Sequence, residues 1–147
     1  MKNLILSFLF FAATVCVAQA PLKAKPDLAS LTTTEDVSLT LKGLTVEKTI
    51  TQEELIPIKN IELKGENAAK YKLIYYHFKT NYMHTYSQND EMFDNVITEP
   101  MTRFFTDLEK NCKLTFDDVV VQNTETGKQF KIASLSVVVK TDKQVIK

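Results

Sequence analysis

The sequence predicts an α+β domain: a dominant antiparallel β-sheet or small β-sandwich with one helix packed on it. Three observations predict this. Short runs of alternating or continuous β-branched, aliphatic and aromatic residues recur at 37–41, 58–63, 71–79, 113–122 and 130–140, with turn residues between them. One stretch, 98–111, carries an apolar stripe at helical spacing. A lone helix between strands does not build a parallel βαβ array.

Residues 1–20 read as a signal peptide, outside the fold. Lys2 supplies the positive end, Leu4 to Val17 is an apolar run too short for a comfortable membrane span, and small residues follow at Ala18 and Ala20. Cleavage after Ala18 competes with cleavage after Ala20, because Pro21 follows the second. A lipoprotein reading would modify Cys16, but Val15 before it is larger than that processing usually accepts. A plain secretory signal is therefore the expectation, and with it a periplasmic or secreted location. Residues 21–34 are polar, proline-containing and aperiodic, and read as a flexible leader. Residues 35–147 then form a single β-rich domain.

In that domain, Val37, Leu39 and Leu41 alternate with Ser38 and Thr40 as a half-buried strand, and Gly43 breaks the pattern. Residues 44–50 alternate again. Thr51-Gln52-Glu53-Glu54 has capping-box form, and Pro57 limits any helix there to one turn. Ile58, Ile61 and Leu63 make a short strand that ends at Gly65. The most β-prone run is 71–79. Strict alternation puts Tyr71, Leu73, Tyr75 and His77 on one face and Ile74, Tyr76 and Phe78 on the other, so both faces need cover. Residues 82–87 continue as strand or form the return of a hairpin, and 88–91 read as a loop. In the helix, Met101, Phe104, Phe105 and Leu108 form the stripe, Thr98 is a good N-cap, and Glu99 and Lys110 suit the helix dipole. Two strands, 113–122 and 130–140, close the domain as a hairpin around Thr124–Lys128.

Composition excludes several functions. Removing Lys2 with the signal leaves 17 basic against 18 acidic residues, with Arg103 the one arginine. That balance lacks the footprint of a nucleic-acid binder. Only Cys112 would survive processing, so the core and not a disulfide must hold the fold. Cys112 reads as a small buried hydrophobe, since nothing in the sequence brings His77 or His84 to it as a base. Asp90, Glu91 and Asp94, with Asn89 and Asn95, match no calcium-loop spacing. Asp117 and Asp118, as strand neighbours, should point to opposite faces and so not converge as an acid/base pair, and they read as a turn, bulge or edge position. No nucleophile elbow, zinc helix or phosphate loop is present. The expectation is a non-enzyme with no cofactor and no metal.

Tyr71 to Phe78, Met101 to Leu108, Phe116-Asp117-Asp118-Val119, Thr126-Gly127-Lys128 and Ile132 to Val139 follow one another as strand, short helix, aromatic-Asp hairpin and final apolar strand. Over about residues 58–140 this pattern resembles the C-terminal domain of the motor-associated periplasmic protein of gliding motility and type IX secretion (GldM type). The resemblance implies a β-rich periplasmic interaction module of Bacteroidetes-type bacteria. Its partner would be another periplasmic or outer-membrane protein, with a homo-oligomer left open. The proteins resembled carry a transmembrane helix and several periplasmic domains, whereas this chain reads as one domain behind a signal. The alternative is an extracytoplasmic small-ligand-binding or adhesin-like β domain. All five tyrosines lie between 71 and 86. Tyrosine is enriched in interface cores, so Tyr75, Tyr76, Tyr82 and Tyr86 are the candidate protein-docking residues.

Overall fold

A computed structural model describes residues 23–41, 49–80 and 89–141, without the side chains of Asn89 and Asp90. Among the described residues, eight strands and two α-helices follow in order: β1 (Ser38–Leu41), β2 (Thr49–Thr51), α1 (Gln52–Leu55), β3 (Ile61–Lys64), β4 (Tyr71–Thr80), β5 (Asn89–Met92), α2 (Glu99–Thr106), β6 (Cys112–Asn123), β7 (Gln129–Lys131) and β8 (Leu135–Lys140), with a 3-10 turn at Ala68–Lys70. The main sheet has the order β2-β8-β6-β4-β5, with β7 also paired to β6. Its pairings are antiparallel except β2 with β8. A second layer consists of the antiparallel pair β1–β3, α1 and α2. The fold is therefore α+β, a mainly antiparallel sheet with a helix packed on it.

One apolar core fills the space between the layers. Leu73, Tyr76 and Phe78 of β4 and Leu114, Phe116, Val119 and Val121 of β6 meet Met101 and Phe105 of α2 and the inward residues of β1 and β3. Phe78 is the hub, with ring centroids 5.5 Å from Phe116, 6.2 Å from Phe105 and 6.4 Å from Phe104.

The expected face assignment of β4 is overturned by two irregularities. The β4–β6 register shifts between Leu73 and Tyr75 and again between Tyr75 and His77. The first shift puts Leu73 and Tyr76 on the core face, three residues apart. Tyr75 and His77 point to the opposite face. The second shift is absorbed on β6, where Asp118 has a φ of 50°. This bulge lets Phe116 and Val119 both face the core, which uninterrupted alternation would forbid. The strand expected over 130–140 is also interrupted. Its break at 132–134 lies opposite the bulge, with Ile132 N–H donating to the Val119 carbonyl at 3.0 Å. Aspartate tolerates the left-handed region better than β-branched residues do. Asp118→Val should therefore cost about 2 kcal/mol while Asp118→Gly stays near parity, a contrast that urea midpoints will read.

The helices also depart from expectation. α2 stops at Thr106, short of 111, although Leu108 beyond it is still buried. The Gln52 side-chain amide donates to the carbonyls of Phe105 (2.8 Å) and Thr106 (2.9 Å), satisfying the end of the helix. Gln52 is held by the capping box of α1, in which Thr51 Oγ1 accepts from Glu54 N–H and the Glu54 carboxylate accepts from Thr51 N–H. Thr98 occupies the N-cap of α2 but makes no side-chain capping bond. Thr98→Ala should therefore leave the thermal midpoint nearly unchanged, where a working cap would be worth about 1 kcal/mol.

Residues 89–91, expected as loop, pair with β4 together with Met92 as the strand β5. The described part of the expected leader, 23–34, lies along the domain. Thr33 bridges Lys131 in parallel, and Thr34 N–H donates to the Lys131 carbonyl. The signal peptide expected over 1–20 with Cys16, and His84, lie outside the described residues. Among the described residues no helix is long and apolar enough to cross a membrane.

Candidate functional site

Of the four candidate docking tyrosines, the structure places two. Tyr75 and Tyr76 each have 0% of their surface exposed, so neither is an open docking residue, and this corrects the expectation. The physical reason is cover: as strand neighbours they point to opposite faces, as alternation expects, and each face is covered at that point. Tyr76 enters the core against Phe116, centroids 5.8 Å apart. Its hydroxyl meets no hydrogen-bond partner among the described residues. Burial pushes its ionisation well up, with Asp94 adding in the same sense. Tyr75 packs edge-on to Phe93 (5.5 Å), and its hydroxyl lies 3.2 Å from a Glu91 carboxylate oxygen. Tyr82 and Tyr86 lie outside the described residues.

Cys112 is buried on the core face, and burial pushes its thiol up to about 11. A thiol so protonated is a poor nucleophile, and His77 lies on the other face of the sheet. Asp117 and Asp118 do not point to opposite faces as alternation predicts. The bulge turns both to the face of His77 and Lys79, where Asp117 pairs with Lys79 at 3.0 Å and Asp118 lies 3.9 Å from His77 Nδ1. These contacts set the four side chains side by side on one face of the sheet. Among the described residues no three His, Cys, Asp or Glu side chains are grouped to hold a metal ion. Of the acidic cluster at 90–94, Glu91 binds Lys25, while Asp94 binds Lys23 and accepts from Val96 N–H.

The Asp117 carboxyl is held below its ordinary range, first by a hydrogen bond from Ser134 and then by Lys79. A carboxyl lowered by folding stabilises above its unfolded value and loses that contribution as pH falls through the folded value. The unfolded value is about 3.9. The stability gap between the wild type and Asp117→Asn should therefore narrow as pH falls from about 4 towards 2, as followed by thermal melts.

Among the described residues, a cleft of about 430 Å³ lies between β3 and β4. Ile61, Leu63, Ala68, Tyr71 and Leu73 form its apolar part, with Glu62, Lys72 and Asn95 around them. Two strand edges open onto it. Ile61 N–H donates away from β1, to the Asn95 carbonyl at 2.8 Å, so alternation turns the backbone of Leu63 the same way. On β4, the Thr124 N–H bond to the Lys70 carbonyl makes Tyr71–Asn123 a non-hydrogen-bonded pair, so the backbone groups of Tyr71 and Leu73 face away from β6. Sequence reading missed this cleft because its residues look like ordinary strand interior. It arises from the path of β3 past β4, which no local pattern encodes.

No protein-family model matches the chain, and no curated protein matches it at a significant level.

Proposed function

We propose that this domain is a non-enzymatic, extracytoplasmic protein-interaction module, consistent with its resemblance to the C-terminal domain of the gliding-motility and type IX secretion protein. The observation that carries this reading is the β3–β4 cleft, where apolar side chains lie between two strands that do not pair with each other and the backbones of Leu63 and Leu73 turn away from their ladder partners. An edge offers backbone donors and acceptors to an extended partner chain, and the side chains between supply selectivity. The ionisable groups support the same reading. His77, Lys79, Asp117 and Asp118 lie against one another on the opposite side of the sheet and do not line the cleft.

The test is photo-crosslinking in periplasmic extract. Benzoylphenylalanine placed at Glu62 or Lys72, both exposed at the cleft rim, should trap a discrete protein, while the same group at Lys110 should not. Equal trapping at all three positions would remove the cleft as the docking surface. The cleft also lies in the size range of small-ligand sites, roughly 300–1,000 Å³. A low-molecular-weight fraction that raises the melting temperature, with no protein trapped, would favour a ligand carrier.

A further inference from the structure

We propose that residues 23–31 form a displaceable arm, and that the acidic and aromatic surface beneath them binds an extended, lysine-bearing peptide with Lys-x-Lys spacing. The surface is built on the sheet face that turns away from the core. Tyr75 and its register partner Val120 lie there with no exposed area, although neither belongs to the main core cluster. Phe93 stands against the Tyr75 ring. Glu91, opposite His77 in the β4–β5 register, accepts from the Tyr75 hydroxyl and is held in place by it.

The arm shows what this surface recognises. The Lys25 ammonium sits 5.8 Å from the Tyr75 ring centroid while binding the Glu91 carboxylate. Two residues earlier, Lys23 donates to the Phe93 carbonyl (3.2 Å) and reaches Asp94 (3.4 Å). In an extended chain, side chains two apart project to one side, so both cations meet the surface together. A ring face and a carboxylate are complementary to an ammonium group. Glu91 is held below its ordinary range by Lys25 before any other group.

The arm is held unevenly. Residues 32–34 are fixed by backbone bonds on both sides of Lys131. Among the described residues, 23–31 are held by side-chain contacts and by a bond from Lys131 Nζ to the Leu28 carbonyl at 3.4 Å. Both lysine pairs are well exposed, with side-chain exposures of 61% and 49% for Lys23 and Asp94 and 50% and 41% for Lys25 and Glu91. Exposed pairs contribute little and weaken with salt. The segment can therefore lift from the surface about the 32–34 anchor while the sheet stays intact. A tethered ligand competes at high effective concentration, so an outside peptide gains access when the arm is released.

This inference stands apart from the cleft reading, because it concerns another surface and its test uses the chain's own segment as the probe. The experiment compares the full chain with Lys23→Glu/Lys25→Glu. Thermolysin should cut the variant near Leu28 and Leu31 at least about tenfold faster, with the melting midpoint almost unchanged. A labelled peptide of residues 23–31 should bind the variant at least about tenfold more tightly than it binds the wild type. Binding should weaken with salt and disappear when Glu91→Lys is added. Equal cleavage of the two proteins, or faster cleavage without peptide binding, would overturn the proposal. So would a midpoint that falls as far as that of a core variant. A wild-type dimer that dissociates in Lys23→Glu/Lys25→Glu would assign the surface to a second copy, and would overturn the intramolecular arm.

Discussion

Phe105→Ala is expected to cost about 3–5 kcal/mol, and Phe104→Ala distinctly less. Helical spacing alone placed both rings on the apolar stripe. The structure separates them: Phe105 is fully buried and Phe104 only partly so. Phe105 stands between α2 and the sheet, edge-on to Phe78 at 6.2 Å and to Phe104 at 6.0 Å. Removing it leaves a cavity between the layers and takes an edge-to-face partner from Phe78, the residue on which the aromatic contacts converge. It also loosens the helix end whose carbonyl the Gln52 amide holds, so α1 should lose order along with α2. Domains of this kind have total stabilities of roughly 5–15 kcal/mol, so the loss is a large fraction. The melting midpoint should fall on the order of 10 °C or more. Equal losses for the two substitutions would mean that the helix is rolled on the sheet and that the packing described is wrong.

The element types were legible because composition and periodicity are local. The strand at 71–80, the hairpin turn at 124–128, the single turn after the Thr51 box and the amphipathic helix all rest on neighbours within about four positions. The placing of Leu73 and Tyr76 on one face of β4 was not legible, and the docking expectation for Tyr75 and Tyr76 failed because both faces are covered there. Period-two reasoning holds only where the ladder is uninterrupted. One signal of interruption was present: two aspartates inside an apolar strand at 117–118. An acidic pair there marks a residue able to take a positive φ, and Asp118 does. On β4 nothing in Leu73-Ile74-Tyr75-Tyr76 announces the matching shift, because all four residues suit any strand position. The arm was hidden for a different reason. Its polar, proline-containing sequence looks the same whether it is solvated or laid on a surface by Lys23 and Lys25. Such contacts join residues 66 to 71 positions apart, beyond the reach of local pattern.

Gly65→Ala is the other substitution expected to be severe, at about 3 kcal/mol or more, combining backbone strain with overpacking. Gly65 ends β3 at a φ of 144°, where side-chain-bearing residues are rarely found. A Cβ there would lie 2.4 Å from the Asp36 carbonyl oxygen and 3.3 Å from Val37 Cα. Both neighbours are backbone, so no rotamer change relieves the clash. Nor can that backbone retreat easily. Val37 is buried in the core, and Ser38, the next residue, pairs with Lys64 at the end of the β1–β3 ladder. Separating the strands to admit a methyl group would also pull on Asp36, whose carboxylate accepts from the Tyr71 hydroxyl at 3.0 Å. Gly127 is the internal control. It has a φ of 70°, but a Cβ there would meet nothing closer than the Gln122 side-chain amide at 4.0 Å. Gly127→Ala should cost only the left-handed backbone penalty of about 1 kcal/mol. Denaturant unfolding of the two variants separates strain from collision. If Gly65→Ala is no less stable than Gly127→Ala, the chain does not pass so closely over β3, and the β1–β3 layer must be packed differently.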